Sequence, residues 1–406
     1  MNKTLLNKYV EIFSVFLLLL SGGSVPFLLY RKELFFVVLV SFALLLFSKR
    51  LSFKELRQLV FVLVSITLFL LINYLFAISE QSIQKVLANL TIMFSATFAA
   101  MYFNSTNNKN KFTDYLYFAL LVVLFHSLTN FFLYPLISGN LSSISNWHYE
   151  CSSFLKLFFY NPQKYSFDVL GFTMVRNQGL FWEPGVLQVF LNILLFLSLF
   201  VRRFKLSLVG LISFAVLSTL STTGLLIMIL QFVIYSTTVI RKNILLLPIF
   251  IALLLGFYTL ASLNLSDKIL GDGATSFQVR FFDLVQPVLI AFDHPLTGIG
   301  LDDQRYIEVR NRIDYNLWID GINIDSLEKG ATNSIMFFLA TAGFPATIFL
   351  LWMIYRQTLI SNYKKLFFVL MIFSLMTEPL LLKPFFFIFV ISGVIYSLNK
   401  FKWKTY

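Results

Sequence analysis

The sequence predicts an all-α integral membrane protein of about twelve transmembrane helices, with two long extracytoplasmic loops. Three observations carry that prediction. Of 406 residues, 58% are hydrophobic and only 13% are charged, against about 25% charged in ordinary soluble domains. Apolar runs recur along the whole chain, and mean hydropathy is +0.79. Basic residues gather in alternate connections between those runs, as expected when cytoplasmic segments retain Lys and Arg.

The runs lie near 10–30, 34–48, 59–78, 86–103, 115–137, 184–201, 206–220, 223–240, 244–263, 334–355, 366–379 and 384–398. Several are shorter than the roughly 20 residues a perpendicular span needs, which predicts local bilayer thinning or short re-entrant turns. With both termini placed in the cytoplasm, 19 of the 32 basic residues fall in cytoplasmic segments, and only four fall in short external connections. The remaining nine lie in the two long external loops, about 138–183 and about 264–333. The chain reads as one polytopic domain over 1–406. No internal repeat is visible, which argues against a transporter built from two related halves.

Several classes fall away at this level. The net charge of +12 is explained by the flanks of apolar runs, and no basic stripe interleaved with aromatics points to nucleic acid. A single cysteine, Cys151, excludes an internal disulfide and any CxxC motif. His126, His148 and His294 are scattered and lack zinc-ligand spacing. Lys3 and Lys8 before an apolar core resemble a signal peptide, but apolar residues resume through Tyr30. An uncleaved first span is the expectation.

The stretch at 176–185, RNQGLFWEPG, ends the first long loop. Charge at the mouth of a membrane bundle usually has a partner or a task. Pro184 suits the first position of a helix, since its missing N–H is not needed there. Glu183 then occupies the N-cap. It either complements the helix dipole or serves as a carboxylate that takes a proton from an acceptor hydroxyl. Arg176 is either a plain loop cation or an anion ligand. Ser221-Thr222-Thr223-Gly224 reads as a tight external turn between two short spans.

The second loop contains FQVRFFDLVQPVLIAF at 277–292. Phe281, Phe282, Leu284, Val285, Val288, Leu289 and Phe292 recur at helical spacing. They predict an amphipathic helix lying on the membrane surface or a buried core helix, kinked at Pro287. Arg280 and Asp283 are three apart and close enough to pair. His294 to Gly300, HPLTGIG, predicts a tight turn or a close substrate approach at Gly298 and Gly300. Asp302-Asp303, with Arg305, reads as solvated loop. Asn333 suits a helix cap or a substrate hydrogen bond, and Glu378 with Lys383 suits an ion pair. Arginines on external loops at the membrane plane match a lipid-linked diphosphate, because guanidinium binds phosphate oxygens in bidentate fashion. This scheme needs no metal and no cofactor.

The layout resembles the O-antigen polymerase (Wzy) and O-antigen ligase superfamily. Four pieces carry the likeness: RNQGLFWEPGVLQ at 176–188, STTG at 221–224, VRFFDLVQPVLIAFDHPLTGIG at 279–300 and ATNSIMFFLATAGFPATIFLLW at 331–352. The resemblance implies a GT-C-like, lipid-donor glycosyltransferase working on the outer face of the bacterial inner membrane without a nucleotide sugar. The family's loop arginines look like Arg176 and Arg280. Its Arg–Gly–Glu–Pro pattern looks like Arg176, Gly179, Glu183 and Pro184. Ligases typically carry a histidine beside the asparagine that starts the late span. Here Ala331-Thr332-Asn333 has none, which favours a polymerase.

The expected donor is a glycan on undecaprenyl diphosphate, and the expected acceptor is a lipid-linked repeat unit. Arg176 and Arg280 would hold the diphosphate, and Glu183 would orient or deprotonate the acceptor. Gly179, Asn333, Gly298 and Gly300 would bind substrate or shape the cavity. Expected partners are these lipid-linked glycans, membrane lipids and a chain-length regulator, without nucleic acid. The alternatives are a ligase that moves finished polymer to lipid A core and a flippase for lipid-linked oligosaccharides. A flippase predicts basic residues inside the spans, and the runs here are almost free of charge.

Overall fold

The computed structural model describes residues 3–77, 81–106, 108, 110–146, 149–169, 172–202, 205–240, 274–310, 312 and 331–400. In chain order the first helices are α1 (Lys3–Leu20), α2 (Val25–Leu29), α3 (Arg31–Phe47), α4 (Phe53–Leu75), α5 (Ile83–Asn104) and α6 (Lys111–Ile137). Strands β1 (Ser142–Asn146), β2 (Tyr149–Phe154) and β3 (Phe158–Tyr160) follow, then α7 (Pro162–Tyr165), β4 (Ser166–Val169) and β5 (Phe172–Val175). Next come α8 (Pro184–Phe196), α9 (Leu206–Ser218), α10 (Thr222–Ile240), α11 (Ala274–Asp293), α12 (Asp303–Arg310), α13 (Ser334–Arg356), α14 (Lys364–Thr377) and α15 (Pro384–Lys400).

Among the described residues, five helices are long and apolar enough to cross a membrane: Phe53–Leu75, Ile83–Asn104, Lys111–Asn140, Pro184–Val201 and Ser334–Arg356. Leu206–Ser218, Thr222–Thr237 and Pro384–Lys400 are apolar but shorter. The expected span at 244–263 lies outside the described residues. The chain divides into two compact units, Met1–Gly22 with Lys32–Asp114 and Lys268–Tyr406, and Gly23–Arg31 with Tyr115–Asp267.

In the first unit, α15 packs against α5 and α13, and α13 also receives α11 and α14. The start of α4 is set by a capping box. Ser52 N donates to Glu55 Oε2 at 2.8 Å, and Glu55 N donates to Ser52 Oγ at 3.3 Å, which satisfies two donors the helix itself cannot. Helix α13 is broken at Gly343 (φ 80, ψ 173), two residues before Pro345. A break inside a span frees backbone groups that lipid cannot satisfy. Here Ile299 N donates to Ala340 O (3.0 Å), Gly300 N to Thr341 O (3.1 Å) and Phe344 N to Pro295 O (2.9 Å). Asn73 Nδ2 also donates to Thr341 O at 2.8 Å. The Pro295–Gly300 turn thus repairs the kink.

Helix α11 carries polar residues on a largely apolar buried face. Its buried face includes Asp283 and Gln286 beside Phe282, Ile290 and Ala291, while Leu284, Leu289 and Phe292 are exposed. Exposed apolar side chains with the buried polar ones turned inward suit a helix that meets hydrocarbon.

In the second unit, α8 is buried on every side, as expected of a helix hydrophobic all round. Its polar residues find each other: Asn192 Nδ2 donates to Gln188 Oε1 (3.0 Å) and Gly224 O (3.1 Å), and Gln231 Nε2 donates to Asn192 Oδ1 (3.0 Å). Such amide contacts hold helices together where apolar burial gives no preference.

One expectation is corrected here. The run 10–30 is not one helix: α1 ends at Leu20, and Gly23 (φ 122) turns the chain into α2. The Trp182 ring occupies the space where a Cβ at Gly23 would stand. The first long loop carries regular structure that the sequence analysis did not assign. It folds into an antiparallel β1–β2–β3 sheet and a β4–β5 hairpin. Strand β2 alternates, with Cys151 and Ser153 buried and Glu150 exposed, the period-two pattern of a half-buried strand.

Candidate functional site

The second unit builds its candidate site at the RNQGLFWEPG turn. Strand β5 delivers Val175, and Arg176 N donates to Tyr165 O at 2.9 Å. Asn177 locks the next step: its N–H donates to Ser218 O (3.0 Å), its Nδ2 to Ser218 Oγ (2.9 Å), and its Oδ1 accepts from Gly179 N (3.2 Å). Gly179 takes φ 54 with Ser127 Cβ close by, a left-handed turn position that suits a residue without a Cβ.

The Arg176 guanidinium, half-buried, donates from Nε to Thr219 O (2.9 Å) and from Nη2 to Leu220 O (3.2 Å). These carbonyls end α9, so Arg176 caps that helix at the negative end of its dipole. The guanidinium carbon also lies 5.3 Å from the Tyr165 ring centroid. The turn expected at Ser221–Gly224 is corrected: the chain turns at Thr219–Leu220, with Leu220 at φ 48, and Thr222–Gly224 already belong to α10.

Glu183 is the N-cap residue of α8, and Pro184 follows it, as the sequence indicates. The carboxylate makes no side-chain cap bond. Instead Tyr165 Oη donates to Glu183 Oε2 at 3.5 Å. Tyr165 therefore stands between the cation and the carboxylate, touching both. Sequence reasoning did not identify Tyr165. Its signal was slight: a tyrosine ending the short Pro162–Tyr165 helix.

Beneath this turn lies a polar group that sequence reasoning also missed. Buried Gln178 donates from Nε2 to Tyr149 Oη (3.2 Å), and Tyr149 Oη donates to Trp182 O (2.9 Å). Burial pushes the Tyr149 phenol well above its usual range and the Cys151 thiol up to about 11. Both groups are neutral at ordinary pH and act as scaffold.

The first unit holds the other predicted residues. Arg280 sits on α11 one turn before Asp283, and its side chain lies outside the described part. Asp283 is fully buried, and its carboxylate meets groups distant in the sequence. Arg310 Nη1 lies 3.1 Å from its Oδ1, and both the N–H (2.8 Å) and the hydroxyl of Thr332 donate to Oδ2. Asn333 caps α13, accepting from Met336 N at 3.1 Å. Ser334 Oγ donates to Leu375 O (2.7 Å) and Glu378 O (2.9 Å).

Gly298 (φ 66) and Gly300 (φ 103) are buried turn residues. A Cβ on Gly298 would stand 2.3 Å from the Thr341 carbonyl carbon, so what approaches this glycine closely is the α13 backbone. His294 O accepts from Gly298 N at 3.1 Å within the same turn. The solvated loop expected at Asp302-Asp303 is corrected. Asp302 is buried and its Oδ1 accepts from Gln304 N at 2.9 Å, at the start of α12, while Asp303 pairs with Lys85 at 3.2 Å. Among the described residues no group of three or more His, Cys, Asp or Glu is placed to hold a metal ion.

No family model, curated protein or solved structure matches this chain.

Proposed function

We propose that this chain is a surface-polysaccharide polymerase of the inner membrane, with about twelve spans, a GT-C-like architecture, both termini in the cytoplasm and its site on the periplasmic side. It transfers a glycan from an undecaprenyl-diphosphate donor to the terminal hydroxyl of a lipid-linked repeat unit. The hydroxyl oxygen bonds to the anomeric carbon, the bond to the diphosphate breaks, and the hydroxyl proton passes to a base.

One observation supports the reading above others: a guanidinium, a phenol and a carboxylate in succession at the N-terminal end of an apolar helix. Arg176 supplies positive charge at the level of a lipid headgroup. Glu183, not engaged in capping, is available to accept a proton. Tyr165 fixes the distance between them. Gly179 sets the backbone shape of this turn.

The ligase reading is second. It is weakened by Ala331-Thr332-Asn333, where the ligase-type histidine is missing. The test is purified protein mixed with an undecaprenyl-diphosphate-linked repeat unit and lipid A core, the products resolved by length and by acceptor. A ladder of two or more repeats supports a polymerase. Transfer only to lipid A core would replace it with a ligase, and no glycosidic product would remove both.

A further inference from the structure

Three basic residues of the first unit converge on one aromatic ring. Lys400 Nζ lies 4.9 Å, Arg356 Cζ 5.4 Å and Lys364 Nζ 5.5 Å from the Tyr396 ring centroid. By these distances no two of the charges stand more than about 11 Å apart, so three like charges crowd one ring. None of the three forms a salt bridge among the described residues. Arg356 and Lys400 end α13 and α15, where a cation suits the dipole. Lys364 does not share that explanation: it opens α14, at the positive end of its dipole, and Tyr363 before it makes no side-chain cap bond. Three cations and a helix N-terminus make an arrangement stabilised by an anion.

The chemistry around the cluster says which anion. An apolar cavity of about 510 Å³ runs between α4, α13 and α15, lined by Ile66, Pro345, Phe349, Met353 and Val394 among others. Arg356 lies three residues beyond Met353 on α13, and Lys400 three beyond Ser397 on α15. By helical spacing each continues a stripe that lines the cavity. Trp352, half exposed, and Tyr355 stand beside the same cations, at 5.8 Å from Arg356 and Lys364 respectively. Aromatic rings with basic residues one turn beyond them mark a membrane–water interface.

We propose that this face binds a glycerophospholipid with an anionic headgroup. The phosphate sits among Arg356, Lys364 and Lys400, and an acyl chain lies in the cavity. Basic pockets between spanning helices on the cytoplasmic side are suited to such headgroups, and the basic-residue bias places these connections there.

The test is native mass spectrometry of the detergent-solubilised full chain, titrated with dioleoyl phosphatidylglycerol or dioleoyl phosphatidylcholine. The anionic phosphatidylglycerol is expected to bind more tightly. Neutralising all three residues (Arg356→Gln, Lys364→Gln and Lys400→Gln) should weaken it roughly a hundredfold, since each basic residue near an anionic headgroup contributes about a fivefold factor. Binding of the choline lipid should stay as it was. Lys400→Gln alone, at an exposed helix end, should show part of the loss without disturbing the fold. Val394→Phe, which fills the cavity, should weaken both lipids, and sn-glycerol 3-phosphate should not compete. Equal affinity for the two lipids overturns the proposal. So does an equal loss on neutralising Lys85, Lys156 and Lys205, or full competition by glycerol phosphate.

Discussion

Arg310 Nη1 lies 3.1 Å from Asp283 Oδ1, and both side chains are completely removed from solvent. The pair ties α11 to α12, and through Thr332 it fixes the residue before the Asn333 cap of α13. Removing one partner leaves an uncompensated buried charge, which costs about 3–5 kcal/mol. Asp283→Leu or Arg310→Met should therefore lower the thermal unfolding temperature sharply in detergent. The Asp283→Leu/Arg310→Met double variant should recover most of it. A double variant no more stable than either single one would show that the pair is not the main term.

Gly298 supports a second prediction. Its φ of 66 costs an L-residue about 1–2 kcal/mol, and an added Cβ would meet the α13 backbone at 2.3 Å. Backbone cannot swing aside as a side chain can. Gly298→Ala should destabilise the protein by more than the conformational cost alone, and limited proteolysis should then cut within 294–301. A variant as protease-resistant as wild type would mean that the turn has room to relax.

These two cases also show what the sequence made legible. Helical periodicity and apolar length predicted α4, α5, α6, α8 and α13 because spans are decided locally, by hydropathy over about 20 residues. Asn333 as a cap and Pro184 at a helix start were likewise local. The pairing of Asp283 with Arg310 was not. Arg310 is 27 residues away, and spacing along one helix cannot show that a second helix returns to the same place. The carbonyl partners of Arg176 were out of reach for the same reason, since Thr219 and Leu220 are contributed by a distant turn. The period-two alternation in Tyr149–Phe154 was readable, but a six-residue strand is a weak signal inside a chain dominated by helices. Gly298 and Gly300 were recognised as a tight turn, although only the fold shows that α13 is what approaches them.

Glu183 separates chemistry from architecture more cleanly than Arg176 does. Arg176 holds the end of α9 through two carbonyls, so its removal disturbs the turn as well as any ligand. Glu183 makes no cap bond, and a Gln side chain still accepts from Tyr165. Glu183→Gln should leave thermal stability within about 0.5 kcal/mol of wild type, as for substitutions outside strained or buried features. If Glu183 is the base, polymer formation should fall by about 10²–10⁴, the usual contribution of a positioned proton acceptor. Normal polymer from a stable Glu183→Gln protein would leave it only a positional role at the start of α8.

Lys49 gives the chain a pH dependence with a definite sign. It lies in the connection between α3 and α4, with its Nζ 3.6 Å from the Tyr102 ring centroid and donating to Tyr102 O at 3.3 Å. Burial is the main cause that lowers its pKa to about 8, helped by the nearby Lys111 charge and opposed by Glu11 and Glu55. The unfolded chain, with a lysine near 10.5, binds more protons than the folded one between those two values. Stability must therefore rise with pH across that window. Below about pH 8 the lysine is charged in both states, and the full cost of holding it charged in the fold is present. Because the side chain is only half-buried, solvent screening makes the effect a fraction of that for a fully buried lysine. Thermal unfolding from pH 7 to pH 10.5 should show this upward component in wild type and lose it in Lys49→Gln. An identical pH profile for the two proteins would mean that the lysine keeps its solution pKa in the fold.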